Sequence, residues 1–307
     1  MTATIVKETR RSPESTGQPR RSFGFWLRDK GWRHAVGVVM ALFAIFPLLY
    51  VLSAALSSSS TLAGSNALFS DFDSSFGNFQ ALFSDPTRPF GRWFVNTLFI
   101  GIVTSAASVL LGALAAYAFS RMRFTGRRLG LLSLMLVQLF PQLLGIVAIF
   151  LLLSGISDVV PWLGLGSQLG LIMVYLGGAL GVNTYLMYGF FNTVPKSLDE
   201  AARIDGASHA QIFFTIILRL VTPILAVVGL LSFIGITSDF IIASVVLTDP
   251  DAQTLAVGLY SYVATQRAEN WGVFAAGAVL AALPVMALFL FLQKYITSGL
   301  ISGSVKG

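Results

Sequence analysis

The chain has 307 residues, 55% of them hydrophobic and only 11% charged, with a mean hydropathy of +0.77. A soluble core has no room for that much apolar surface, so part of the solvent is lipid, where helices satisfy their own backbone groups and an all-α, polytopic bundle follows. The formal charge of +6 does not mark a nucleic-acid binder, because no basic face is interleaved with base-reading groups, and the lack of cysteine excludes disulfides and thiolate chemistry.

Residues 1–20, rich in Pro, Ser, Thr, Glu and Arg, read as disordered. Phe23, Phe25, Trp26 and Trp32, interleaved with Arg28, Lys30 and Arg33, suggest either a short interfacial helix or a plain basic-aromatic anchor. The polar lead and the apolar run behind it are both too long for a cleaved signal. Six apolar segments come next, at about 35–56, 94–120, 129–156, 168–191, 220–247 and 273–296. Each reaches the ~20 residues that cross ~30 Å of hydrocarbon as a helix. Pro47, Pro141, Pro223 and Pro284 fall in or near these segments and predict kinks or breaks within them. The organisation is thus a basic N-terminal segment (1–34), a transmembrane domain (35–297) with a polar loop at 195–219, and a C-terminal tail (298–307).

Basic residues give the orientation. Of the 20 Lys and Arg, all but Arg88, Arg92 and Arg267 fall on one side: before the first span, in the loop of Arg121, Arg123, Arg127 and Arg128, in the polar loop, and at the C-terminal end. By the positive-inside rule that side is cytoplasmic, and both termini lie there.

The polar loop carries the strongest signal. Ser197-x-x-Glu200 and Ser208-x-x-Gln211 both fit the capping box that starts a helix, and Gly206 between them suits a helix end. The pattern reads as two short helices on the membrane surface. Ala201, Ala202 and Ala207 leave them bare enough for another protein's backbone to approach.

Polar residues inside the spans are costly and often functional. Gln138 and Gln142 share a helix face and line a polar path or bond a neighbouring helix; Asn183 has the same two readings. Asp239 is the one carboxylate in a predicted span. Counted from Pro223 it falls near the outer end, as an interface residue, an outer-gate residue or an ion-coupling group. Gly177, Gly178 and Gly181 read as close-packing positions. No Gly-Lys pair occurs, so there is no P-loop. His34 and His209 are far apart in sequence with no ligand set beside either, so no metal site is expected. The serines lack a histidine partner for a triad, and Gly164-x-Gly166 follows no strand. No catalytic residue is expected.

Glu200-Ala201-Ala202-x-x-x-Gly206, then nine residues, then Ile216-x-Leu218, resembles the EAA loop of bacterial ABC-importer membrane subunits. Ile204-Asp205-Gly206-Ala207 is similar to wording common in that family. The family pattern ends in proline, and here that position is Arg219, with proline only at Pro223. Gln138-Leu139-Phe140-Pro141-Gln142, Thr254-Leu255-Ala256-Val257-Gly258 and the terminal Ser302-Gly303-Ser304-Val305-Lys306-Gly307 narrow the likeness to MalG-type permeases of maltose/maltodextrin importers.

The resemblance implies a type I importer bundle of six spans in a bacterial inner membrane. It implies a second permease of the MalF type, and a homodimeric cytoplasmic ATPase that binds ATP and Mg, leaving this chain without a cofactor of its own. An extracytoplasmic solute-binding protein would deliver the oligosaccharide. Glu200, Ala201, Ala202, Asp205, Gly206 and Ala207 would couple to the ATPase. Thr265, Gln266 and Arg267 would reach into the binding protein, and Ser302, Gly303, Ser304 and Lys306 would contact the ATPase from the tail. Gln138, Gln142, Asn183 and Asp239 are candidates for the translocation path. The first outer loop, 57–93, with Asp71, Asp73 and Asp85, is a further contact surface for the binding protein. Two other classes stay open on the residues alone: an ion-coupled transporter working through Asp239, and a scaffold that docks a partner and moves nothing.

Overall fold

The computed structural model describes residues 30–58, 76–264 and 270–304, with the side chains of 142, 143, 179 and 297–304 outside the description. The readings of 1–20 and of Phe23, Phe25 and Trp26 fall outside the described residues, as do Asp71, Asp73, Thr265, Gln266, Arg267 and Lys306. The chain divides into two units, Met1–Leu49 and Tyr50–Gly307.

Every element among the described residues is a helix. Helix α1 (Trp32–Ala55) carries Pro47 inside it, and its residues 32–49 are exposed throughout, as expected of a helix whose solvent is lipid. In the second unit come α2 (Gly77–Ser84), α3 (Phe90–Arg121), α4 (Arg127–Gln138), α5 (Gln142–Ser157), α6 (Gln168–Ala179) and α7 (Val182–Phe191). They are followed by α8 (Lys196–Ile204), α9 (His209–Leu220), α10 (Thr222–Ser238), α11 (Ile241–Val246), α12 (Leu255–Tyr260) and α13 (Trp271–Ser304).

Among the described residues, three helices are long and apolar enough to cross a bilayer: α1, α3 and the 271–296 stretch of α13. The number rises to as many as five if α6 with α7, bent by 51°, and α9 with α10, bent by 80°, each form one span. The fold is therefore a membrane-spanning bundle of several helices, three to five by this measure, not six unbroken ones. Proline explains much of the difference. Pro141 has no N–H to give and its fixed φ starts a new helix, so the expected third span divides into α4 and α5. Pro223 lies in the first turn of α10, next to the 80° bend. Pro284 sits inside α13 without ending it. Within the expected fifth span, Asp239 interrupts α10 and α11.

Helix α3 is the hub, packing on α6, α7, α10 and α12. Its buried face includes Gly101, Thr104, Ser105, Ser108, Gly112, Ala113 and Ala116, small residues at helical spacing that let neighbouring backbones come close. A Cβ on Gly101 would lie 2.8 Å from Thr237 Cγ2 and 2.9 Å from the Phe233 ring of α10. Of the three glycines expected to serve close packing, only Gly181 does so within this chain. A Cβ there would run into the Gln138 side chain, whereas one on Gly177 or Gly178 meets nothing within 4 Å.

The Thr254–Gly258 segment is pinned to the start of α3. Leu255 N donates to Thr97 Oγ1 at 2.7 Å and Trp93 Nε1 to the Pro250 carbonyl at 2.7 Å. Asn96 Nδ2 donates to the carbonyls of Asp251 and Gln253, each at 2.9 Å. At the other end of α3, Ala113, Ala116 and Tyr117 join Met187, Phe191, Ala202, Ile212, Phe213 and Ile217 in one apolar cluster. That cluster seats α8 and α9.

Candidate docking surface and its anchorage

The polar loop forms the expected helix pair, built differently at its start and as expected at its turn. Helix α8 begins at Lys196, with Pro195 in the cap position and no side-chain cap bond. Ser197 is thus already inside the first turn, so the Ser197–Glu200 capping box is not formed. The fixed φ of Pro195 starts the helix early. The Glu200 carboxylate is therefore exposed and not spent on a cap.

The exit from α8 is a Schellman turn. Ala207 N donates to the Ala202 carbonyl at 2.9 Å and Gly206 N to the Arg203 carbonyl at 3.0 Å. Gly206 has φ of 85°, the left-handed region that glycine occupies without strain. Ser208 then caps α9 with a complete capping box: its Oγ accepts from Gln211 N at 3.3 Å, and its own N–H donates to Gln211 Oε1 at 2.8 Å. Residues 212–217 follow in π-helical geometry, burying Ile212, Phe213 and Ile217. Arg219, where the resemblance expects proline, is exposed on the last turn of α9. The sharp bend comes just after it, at the junction with α10.

The pair presents one face outward. Glu200, Ala201, Asp205 and Gly206 are exposed and Ala207 is half-buried, whereas Ala202 is buried in the cluster beneath. Ile204, quoted in the family-like Ile204–Ala207 wording but given no docking role from the sequence, is 87% exposed. It lies on the same outward face as the exposed Ala201 and the Glu200 carboxylate.

Two residues that motif reading passed over hold this surface from beneath. Arg121, in the last turn of α3, and Asp199, in the first turn of α8, form an ion pair with Nε to Oδ2 at 2.6 Å. Their side chains are 2% and 6% exposed. Arg121 Nη2 also donates to the Val194 carbonyl at 2.8 Å. The only sequence signal was that Arg121 directly follows the apolar segment 94–120; the structure leaves Arg123 and Arg128 exposed.

The path candidates are not brought into one constellation. Gln138 Nε2 donates to the Gly178 carbonyl at 2.8 Å, beside a cavity of about 190 Å³ lined also by Ile149, Val174 and Ile242. Asn183 Nδ2 donates to Ser232 Oγ at 3.1 Å, linking α7 to α10. Asp239 Oδ1 accepts from Tyr175 OH at 2.9 Å and from Ala243 N at 3.0 Å, so the carboxylate caps α11. The Gln142 side chain is outside the description. Ser302, Gly303 and Ser304 continue α13 as helix. No cluster of His, Cys, Asp and Glu suited to a metal occurs among the described residues.

The chain is a bundle of helices, several of them apolar and of membrane-crossing length, with a helix pair joined by a capped turn at its surface. Residues 108–302 match the family described as binding-protein-dependent transport system inner membrane component. The chain belongs to that family and is a permease subunit of a bacterial ABC importer, a non-catalytic translocation component coupled to a separate ATPase. It is 38% identical over 272 residues to the maltodextrin transport system permease protein MdxG of Bacillus subtilis (strain 168), covering 88% of this chain and 93% of the relative. It is 37% identical over 269 residues to the galactooligosaccharides transport system permease protein GanQ of the same organism, covering 87% and 92%. Its fold is similar to that of a solved bacterial ABC transporter involved in the import of the acidic polysaccharide alginate, with a TM-score of 0.68 at 25% identity, covering 88% of this chain and 97% of that one.

Proposed function

We propose that this permease imports a neutral oligosaccharide of the maltodextrin or galacto-oligosaccharide class by alternating access. In this reading six segments cross the membrane, α4 with α5 and α10 with α11 being broken spans, and both termini are cytoplasmic. The chain pairs with a second, MalF-type permease and receives sugar from an extracytoplasmic binding protein. A homodimeric ATPase docks on Glu200, Ala201, Asp205, Gly206 and Ala207, with Ala202 seating the docking helix from inside. Nucleotide-driven closure of that ATPase moves the attached helices as rigid bodies, and sugar follows because the two sites share one conformational equilibrium. Thr265, Gln266 and Arg267 contact the binding protein, and the 302–306 tail contacts the ATPase. Gln138, Gln142 and Asn183 line the path.

The observation that carries this reading is the exposed Glu200–Ala201–Ile204 face on a helix pair joined by a Schellman turn and a complete capping box. An ion-coupled mechanism would need a free titratable group, and Asp239 is engaged as a helix cap. The test is uptake into proteoliposomes holding the assembled importer, with ATP inside, binding protein outside and a panel of labelled oligosaccharides. Uptake that needs both ATP and the binding protein, and is kept by Asp239→Asn, is the expected result. Uptake driven by an ion gradient without ATP, and lost in Asp239→Asn, would contradict it.

A further inference from the structure

We propose that Arg121 and Asp199 form the joint that transmits motion from the docking helix α8 into the membrane helix α3, so that they set coupling without taking part in docking. The inference rests on the docking reading above and adds a residue pair to it.

The last turn of α3 grips the polar loop at several points. One guanidinium spans two sites on the loop: the Val194 carbonyl at 2.8 Å, just before α8, and the Asp199 carboxylate at 2.6 Å, inside its first turn. Ser120 Oγ donates to Asn192 Oδ1 at 3.1 Å. Tyr117 OH lies 3.2 Å from His209 Nδ1, at the start of α9. Positions 117, 120 and 121 share one helix face, so one edge of α3 holds both short helices.

Holding α8 in place needs no charge. A buried ion pair contributes little net stability relative to a well-packed apolar pair, because both ions lose their water. Ala202, Ile212 and Phe213 already seat the helices by burial. What the guanidinium adds is direction: a planar fork that hydrogen-bonds the Val194 carbonyl just before α8 and pairs with the Asp199 carboxylate in its first turn resists sliding or rolling of the helix on α3. The outward face is not involved, since Glu200 and Ile204 are exposed while Asp199 is 4% exposed. A pull on the outer face therefore reaches α3 through this joint, and α3 in turn packs on α6, α7, α10 and α12.

The test uses the complete importer, with both permeases, the ATPase and the binding protein, reconstituted in proteoliposomes. ATP hydrolysed per sugar imported is measured per assembled complex, so loss of folding does not imitate the effect. Asp199→Asn is expected to keep its ATPase on purification and to raise that ratio at least tenfold. Arg121→Lys, which keeps a charge opposite Asp199 but is too short and unforked for both contacts, is expected to fall between it and wild type. An unchanged ratio in both variants would overturn the proposal, as would loss of the ATPase from Asp199→Asn at an unchanged melting temperature, which would place the pair in docking itself. The docking reading fails separately, if Glu200→Arg still retains the ATPase.

Discussion

Arg121→Ala is expected to destabilise the permease by about 3–5 kcal/mol, the cost of leaving one partner of a buried ion pair unmatched. Asp199 is only 4% exposed, and neither of its carboxylate oxygens has a hydrogen-bond partner among the described residues, so the ion pair with Arg121 is its close polar contact. Without the guanidinium the buried carboxylate, near Tyr117 in a pocket lined also by Lys196, Arg203 and His209, loses its one direct partner, or α8 shifts to bring it to water. The Val194 carbonyl loses its donor in the same substitution. In detergent, a fall in melting temperature on the order of 10 °C follows from the usual relation between free energy and midpoint. Arg123→Ala, two residues on and exposed, is the control, expected to stay within about 0.5 kcal/mol as surface substitutions do. Equal melting temperatures for the two variants would remove the buried pair from the account of what anchors the polar loop.

Gly258→Val is expected to cost about 1–3 kcal/mol, the usual range for overpacking a filled core, and to loosen the segment that follows α11. A Cβ at Gly258 would fall within the Trp93 indole. Trp93 is 1% exposed, packs edge-on against Tyr262 and donates Nε1 to the Pro250 carbonyl. Buried and hydrogen-bonded, the indole cannot yield without cost, so either its hydrogen bond breaks or α12 lifts from α3. Quenching and emission wavelength of the tryptophan fluorescence would report the first outcome, and a lower melting temperature both. Gly178→Ala, where a Cβ meets nothing within 4 Å, is expected to leave the fold unchanged. If Gly258→Val melts like wild type, the Thr254–Gly258 segment does not pack on Trp93 as described.

How far the sequence reaches depends on the scale of the pattern. Apolar runs locate the lipid-facing stretches, because span length is set by the bilayer and not by tertiary contacts. Their continuity was not legible: Pro141 breaks its segment, while Pro47 and Pro284 sit inside long helices. Whether a proline ends a helix depends on what neighbouring helices offer the freed carbonyl, which no single sequence contains. In the polar loop, Gly206 and the Ser208–Gln211 box were legible because their bonds are local. The Ser197 box failed for an equally local reason, since Pro195 starts the helix before Ser197 can cap it. The Arg121–Asp199 pair was hidden because its members are 78 positions apart and Arg121 is one of four arginines in its loop. Only packing distinguishes it from Arg123.

The central claim is that the Glu200–Ala201–Ile204 face receives the ATPase. The chain has no cysteine, so Ala201→Cys supplies a single thiol on that face for a short photoactivatable cross-linker. The experiment is run on membranes in which the whole importer is co-expressed, with Val159→Cys, 81% exposed outside the polar loop, as the control position. The account predicts a cross-linked product of this chain with the importer's ATPase from position 201, none from position 159, and loss of the product when Glu200→Arg is added. Cross-linking of the ATPase from position 159, or an unmodified chain at position 201 in an importer that still transports sugar, would contradict it.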